Sequence, residues 1–171
     1  MKLFLASIVT AFALALSARA DDVTAKISNV HLCCDSCVKI ANKVVGTVDG
    51  VKATVDKDAG TIVLTGPDKA SLQKTADALT AAGYFGESSD VKIDASTGAK
   101  GEKVQTLTIT GVHICCGKCA KAVDKAVKSV PGVTADTAAK NVESFTVTGD
   151  FNDKEVFDAL QKAGFTGKVG K

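Results

Sequence analysis

Every cysteine and histidine of the chain lies in one of two octets. Val30-His31-Leu32-Cys33-Cys34-Asp35-Ser36-Cys37 recurs eighty-two residues later as Val112-His113-Ile114-Cys115-Cys116-Gly117-Lys118-Cys119. A thiolate is both a nucleophile and a soft metal ligand. Cys34 with Cys37, and Cys116 with Cys119, are spaced to close on one ion from a loop and the helical turn after it. Cys33 and Cys115 add a third sulfur, and His31 and His113 an imidazole. A Cys₃His set suits tetrahedral Zn²⁺ or another thiophilic dication, Cd²⁺, Pb²⁺ or Hg²⁺ among them. A two-sulfur site suits linear Cu⁺ instead. Spacing leaves the choice open, because strand alternation sends Cys33 and His31 to one face and Cys34 to the other.

Two blander readings stand beside these. A disulfide from Cys34 or Cys33 to Cys37 is chemically ordinary, but such short closed loops restrict the unfolded chain least and staple nothing together. A lone histidine near a strand end is more often a surface hydrogen-bonding group. Here the only two in the chain hold equivalent places beside cysteine clusters, which points to a ligand or a ligand-orienting group.

The elements that position the octets repeat as well. Asp49-Gly50-Val51 answers Pro131-Gly132-Val133, Leu64-Thr65-Gly66 answers Val147-Thr148-Gly149, and Ala82-Gly83-Tyr84 answers Ala163-Gly164-Phe165. Before each octet Ala25 and Ile27, or Leu107 and Ile109, alternate with polar neighbours as a half-buried strand does. After it Ala41, Val44, Val45 and Val48, or Val123, Ala126, Val127 and Val130, recur at helical spacing. Val51 to Val55 alternates as a second strand, Asp58-Ala59-Gly60 turns the chain, and Ile62 and Leu64 mark a third. Pro67-Asp68 opens a second helix carrying Leu72, Ala76 and Leu79, matched by Val156, Phe157 and Leu160, and Gly83 or Gly164 stops it. Val91 and Ile93 predict a fourth strand in the first unit, and residues 166–171 one in the second. The order is that of the split βαβ sandwich. The expected class is therefore α+β, two tandem ferredoxin-like βαββαβ sandwich domains at 21–93 and 104–171, joined by a small, polar, flexible linker at 94–103. Cys37 and Cys119 fall in a helix's opening turn, where unpaired N–H groups and the helix dipole should draw a thiol below its free value.

Lys2, an apolar run from Leu3 to Leu16 and the ending Ser17-Ala18-Arg19-Ala20 predict a signal peptide over 1–20, cleaved before Asp21. The run is shorter than the roughly 20 residues that span a bilayer, so the expectation is export to a periplasmic or extracellular space, with no membrane insertion of the mature chain. Without Lys2 and Arg19 the 21 basic residues fall to 19, equal to the 19 acidic ones. That neutrality gives no footing for nucleic acid, and 5% aromatic residues make stacking platforms improbable.

A Cys-x-x-Cys after strand one, in this order of elements, resembles the heavy-metal-associated domain, whose members include copper chaperones, a periplasmic mercury-binding protein and modules of metal-exporting ATPases. The resemblance implies a domain that binds a soft ion through two cysteines and passes it on by ligand exchange. By position Cys34, Cys37, Cys116 and Cys119 match the family's ligands, and Tyr84 and Phe165 its aromatic packed beside the metal loop. Leu32 and Ile114 stand where the family has Met, His31 and His113 where it has Gly, and Cys33 and Cys115 where it has Thr or Ser. These departures shift the expectation from Cu⁺ toward Zn²⁺, Cd²⁺ or Pb²⁺. The leading reading is a non-enzymatic exported metallochaperone, scavenger or sensor, holding one ion per octet or clamping one between them. Its partner would be a metal-transporting membrane protein or another such domain. The alternative is a thiol–disulfide protein using Cys34 and Cys116. Against it, the chain lacks thioredoxin-like order, and its only prolines are Pro67 and Pro131.

Overall fold

The computed structural model describes residues 22–170; the expected signal peptide lies outside them. The first unit runs β1 (Val23–Ile27), α1 (Asp35–Val45), β2 (Lys52–Asp56), β3 (Thr61–Gly66) and α2 (Lys69–Ala81). The second runs β4 (Lys103–Thr110), α3 (Gly117–Lys128), β5 (Val133–Asp136), β6 (Ser144–Asn152), α4 (Asp153–Lys162) and β7 (Lys168–Val169). Both sheets are antiparallel, ordered β1-β3-β2 and β5-β6-β4-β7. This is the expected α+β class, with β-α-β-β-α in both units and a closing strand in the second alone.

Period-two burial on the strands and the apolar helix stripes build each core. Ala25, Ile27, Ile62 and Leu64 face Ala41, Val45, Leu72, Ala76 and Leu79. Leu107, Ile109, Phe145 and Val147 face Val123, Val127, Val156, Phe157 and Leu160. The Asp68 carboxylate accepts from the Ser71 N–H and caps α2.

Two expectations need correction. Val91 and Ile93 form no strand: beyond α2 the first unit pairs with its own β1 edge only through an isolated bridge between Ser28 and Glu87. The reason is a side chain in place of a backbone. Asp90 Oδ2 accepts the Lys26 N–H at 2.9 Å, at the edge of β1 that a fourth strand would have paired. Ser88 Oγ then accepts from the N–H groups of Asp90 and Val91 and turns the chain. Val91 is buried all the same. The segment read as a flexible linker is bound down. The Asp153 carboxylate accepts from the N–H groups of Lys100, Gly101 and Glu102 at 3.0, 2.8 and 2.9 Å. The Thr97 carbonyl accepts from the Val169 N–H at 2.8 Å, and Gln161 donates to the Ala95 carbonyl. Small polar composition marks chain without a core of its own, and here that chain lies along the second unit.

A candidate metal centre where the two octets meet

Each octet leaves its strand as a loop and enters its helix at Cys34 or Cys116, both extended at the N-cap with φ of −163° and −152°. Leu32 and Ile114 are buried beneath the loops. One turn into each helix, Cys37 and Cys119 are fully buried. Cys33, Cys34, Cys115 and Cys116 are half-buried, and all six cysteines are free.

The two loops face each other, so the six sulfurs form one cluster. Cys33 Sγ lies 3.4 Å from both Cys116 and Cys119, and Cys37 Sγ 3.3 Å from Cys115. Within a loop Cys33 to Cys37 is 3.8 Å, Cys34 to Cys37 3.7 Å and Cys115 to Cys119 3.7 Å, and the remaining contacts across the loops, Cys34 to Cys115, Cys34 to Cys116 and Cys37 to Cys119, are 4.0, 3.8 and 3.9 Å. The histidines also reach across. His31 joins Cys33 and Cys119, and His113 joins Cys115 and Cys37, each group with its ligand atoms within 4.8 Å of one another.

The aromatic at the end of each second helix holds the opposite octet. His31 stacks on Phe165, and His113 on Tyr84, with centroids 4.3 Å apart in both pairs. Tyr84 donates to the Cys37 carbonyl at 2.8 Å, and its oxygen lies 3.2 Å from His113 Nε2. Tyr84 and Phe165 form a bridge between the units. The Phe85 N–H donates to the Gly164 carbonyl and the Thr166 N–H to that of Gly83. Spacing flagged Gly83 and Gly164 only as helix stops, but both also let another backbone approach. A Cβ on Gly83 would lie 2.4 Å from the His113 nitrogen, and one on Gly164 2.5 Å from the His31 nitrogen. Sequence spacing reads contacts along one loop, so this docking across the repeat left no signal in it.

Crowded thiols share protons. The S–H of Cys119 holds Cys37 down at about 2, against the cost of burial and with help from His113 and Cys115. Cys119 is pushed up for the same reason, its hydrogen bond to Cys37 coming first and burial second. Cys37 is thus low as expected, but through the neighbouring side chains rather than the helix start, and Cys119 is reversed, because two like charges in contact cannot both form. Burial opposes ionisation of Cys116, yet the N–H groups of Cys119 and Lys118 and the thiol of Cys33 draw it down to about 6. Burial and the hydrogen bond to Cys116 push Cys33 up to about 12. Burial, then Cys37, push Cys115 up. Burial also keeps His31 below the usual imidazole range, with Cys37 opposing.

These residues fit a soft cation. Several thiolates packed in half-buried space repel one another until protons or a metal ion compensate them. His31 Nε2 is buried with no hydrogen-bond partner in the protein, because Phe165 offers no hydroxyl where Tyr84 serves His113. Asp35, at the start of α1, is paired with Lys57 at 2.7 Å.

Residues 106–166, in the second unit, match the model of the Heavy-metal-associated domain, and the first unit repeats the octet and the first five elements of that stretch. The N-terminal domain of PacS from Synechocystis PCC6803 is similar over 40% of this chain and 100% of that one, at 26% identity and a TM-score of 0.37. Oxidized MerP from Ralstonia metallidurans CH34 is similar over 39% and 97%, at 26% identity and 0.37. The N-terminal soluble domains of Bacillus subtilis CopA are similar over 88% of this chain and 95% of that one, at 16% identity and 0.32. No curated protein matches the chain.

Proposed function

We propose that the protein is an exported binder of thiophilic metal ions, held by His31, Cys33, Cys34, Cys37, His113, Cys115, Cys116 and Cys119. It would act as a metallochaperone, scavenger or sensor in a periplasmic or extracellular space. The observation that carries this reading is the convergence of all six thiols and both imidazoles on one half-buried cluster. The match of residues 106–166 to the heavy-metal-associated family supports it. Three sulfurs and an imidazole favour Zn²⁺ or Cd²⁺ over Cu⁺, which is satisfied by two thiolates. In this role the half-buried Cys33, Cys34, Cys115 and Cys116 are the thiols open to an incoming partner, ahead of the buried Cys37 and Cys119. A metal-transporting membrane protein or another heavy-metal-associated domain is the partner that could receive the ion by thiolate exchange. Among the described residues no helix is long and apolar enough to cross a membrane.

Alkylation of the reduced chain tests the reading. With Zn²⁺ present, all six cysteines should be protected together, and a chelator should restore labelling. Labelling that zinc leaves unchanged, joined to insulin reduction lost in a Cys34→Ser, Cys116→Ser variant, would replace this reading with the thiol–disulfide one.

A further inference from the structure

We propose that the cluster is two Cys₃His sites, each completed across the repeat, rather than one site per octet or one shared ion. The inference rests on the metal-binding reading above and assigns its ligands. One site takes His31 and Cys33 from the first octet, with Cys116 and Cys119 from the second. The other takes His113 and Cys115 from the second octet, with Cys34 and Cys37 from the first.

Three observations carry it. Each imidazole groups with the opposite helix's cysteine: His31 with Cys33 and Cys119, and His113 with Cys115 and Cys37. Within each crossed set every pair of sulfurs is in contact. Cys33–Cys116, Cys33–Cys119 and Cys116–Cys119 measure 3.4, 3.4 and 3.6 Å. Cys37–Cys115, Cys34–Cys37 and Cys34–Cys115 measure 3.3, 3.7 and 4.0 Å. A tetrahedral ion with Zn–S of about 2.3 Å sets its sulfurs about 3.8 Å apart, so both triangles lie close to the size such an ion needs. Finally, the displacement that relates the two units carries one set onto the other, residue for residue, and uses each cysteine and histidine of the chain once. Charge agrees. Two dications balance four of six thiolates, where a single ion would leave four uncompensated in half-buried space.

The crossing makes the loss of ligands diagnostic. His31→Ala with Cys116→Ser removes two ligands from one crossed site and spares the other, yet damages both octets. His31→Ala with Cys34→Ser removes two ligands from one octet, yet damages both crossed sites. Loaded with Co²⁺ as a spectroscopic probe, the reduced full chain should bind two ions with intense thiolate charge-transfer bands. The first variant should keep one such ion at full intensity per site, and the second should keep none. The reverse pattern, or one ion in the unaltered chain, would overturn the proposal. Co²⁺ bound by neither the variants nor the unaltered chain would overturn the metal reading itself. Should a variant lose its far-ultraviolet circular dichroism, the unaltered chain still decides. With ¹¹³Cd bound, one cadmium resonance should correlate with the β-protons of Cys33, Cys116 and Cys119, and the other with those of Cys34, Cys37 and Cys115. Correlations confined to one octet would contradict the crossing.

Discussion

Asp153 shows what a single carboxylate contributes to this molecule. It is buried at the start of α4 and accepts from three successive N–H groups of the connecting segment. Burial works against its charge, but those hydrogen bonds outweigh it and hold the carboxyl below the usual carboxylate range. A depressed folded value means that the stabilisation is fully present above about pH 4 and fades as pH falls through the folded value. Asp153→Asn should therefore lower stability at pH 7 by roughly 1–3 kcal/mol. The gap to the unaltered protein should close as pH falls below the usual carboxylate range. Urea unfolding across that range checks this, and a gap independent of pH would contradict it. Tyr84 and Phe165 carry a comparable lesson in asymmetry. They share a place in the repeat, yet only Tyr84 has a hydroxyl, which ties down His113 and the Cys37 carbonyl and leaves His31 Nε2 without a protein partner.

The elements around the octets were largely legible, because each follows from a local pattern. Helical spacing at Ala41, Val45, Val123 and Val127 located α1 and α3, and alternation at Ile62 and Leu64 located β3. The fourth strand of the first unit failed because the period of Val91 and Ile93 reports burial, which is real, and not pairing. Pairing was decided by the Asp90 side chain. Gly83 and Gly164 were legible as helix ends but not as docking points, since that depends on which backbone lies across from them. At φ of +81° a side chain on Gly164 is strained, and its Cβ would also meet the His31 backbone at 2.5 Å. Gly164→Ala should therefore cost at least about 2 kcal/mol and separate the two units. Gly117→Ala, with nothing within 4 Å, should do neither. Thermal unfolding with small-angle scattering distinguishes them, and an unexpanded Gly164→Ala protein would show that docking does not hinge on this contact.

At the scale of the whole molecule, two small sandwich units set their metal loops against each other. The cysteine cluster is the product of that docking. The cysteine spacing and the repeat suggested ligands, but reading each octet by itself grouped His31 with Cys33, Cys34 and Cys37. Folded, His31 lies with Cys33 and Cys119, a contact across 86 residues for the two sulfurs that no local pattern encodes. The connecting segment, packed along the second unit by Asp153, leaves less freedom to separate the loops than a free tether would, which lowers the entropic cost of bringing them together. The central claim is that this docked pair of loops binds a soft metal ion tightly when reduced. The most direct measurement is competition between the reduced full chain and a chromophoric zinc chelator of known affinity. The account predicts that the protein strips zinc from the chelator with a dissociation constant well below roughly 1 µM. No binding tighter than micromolar by the fully reduced protein would contradict it.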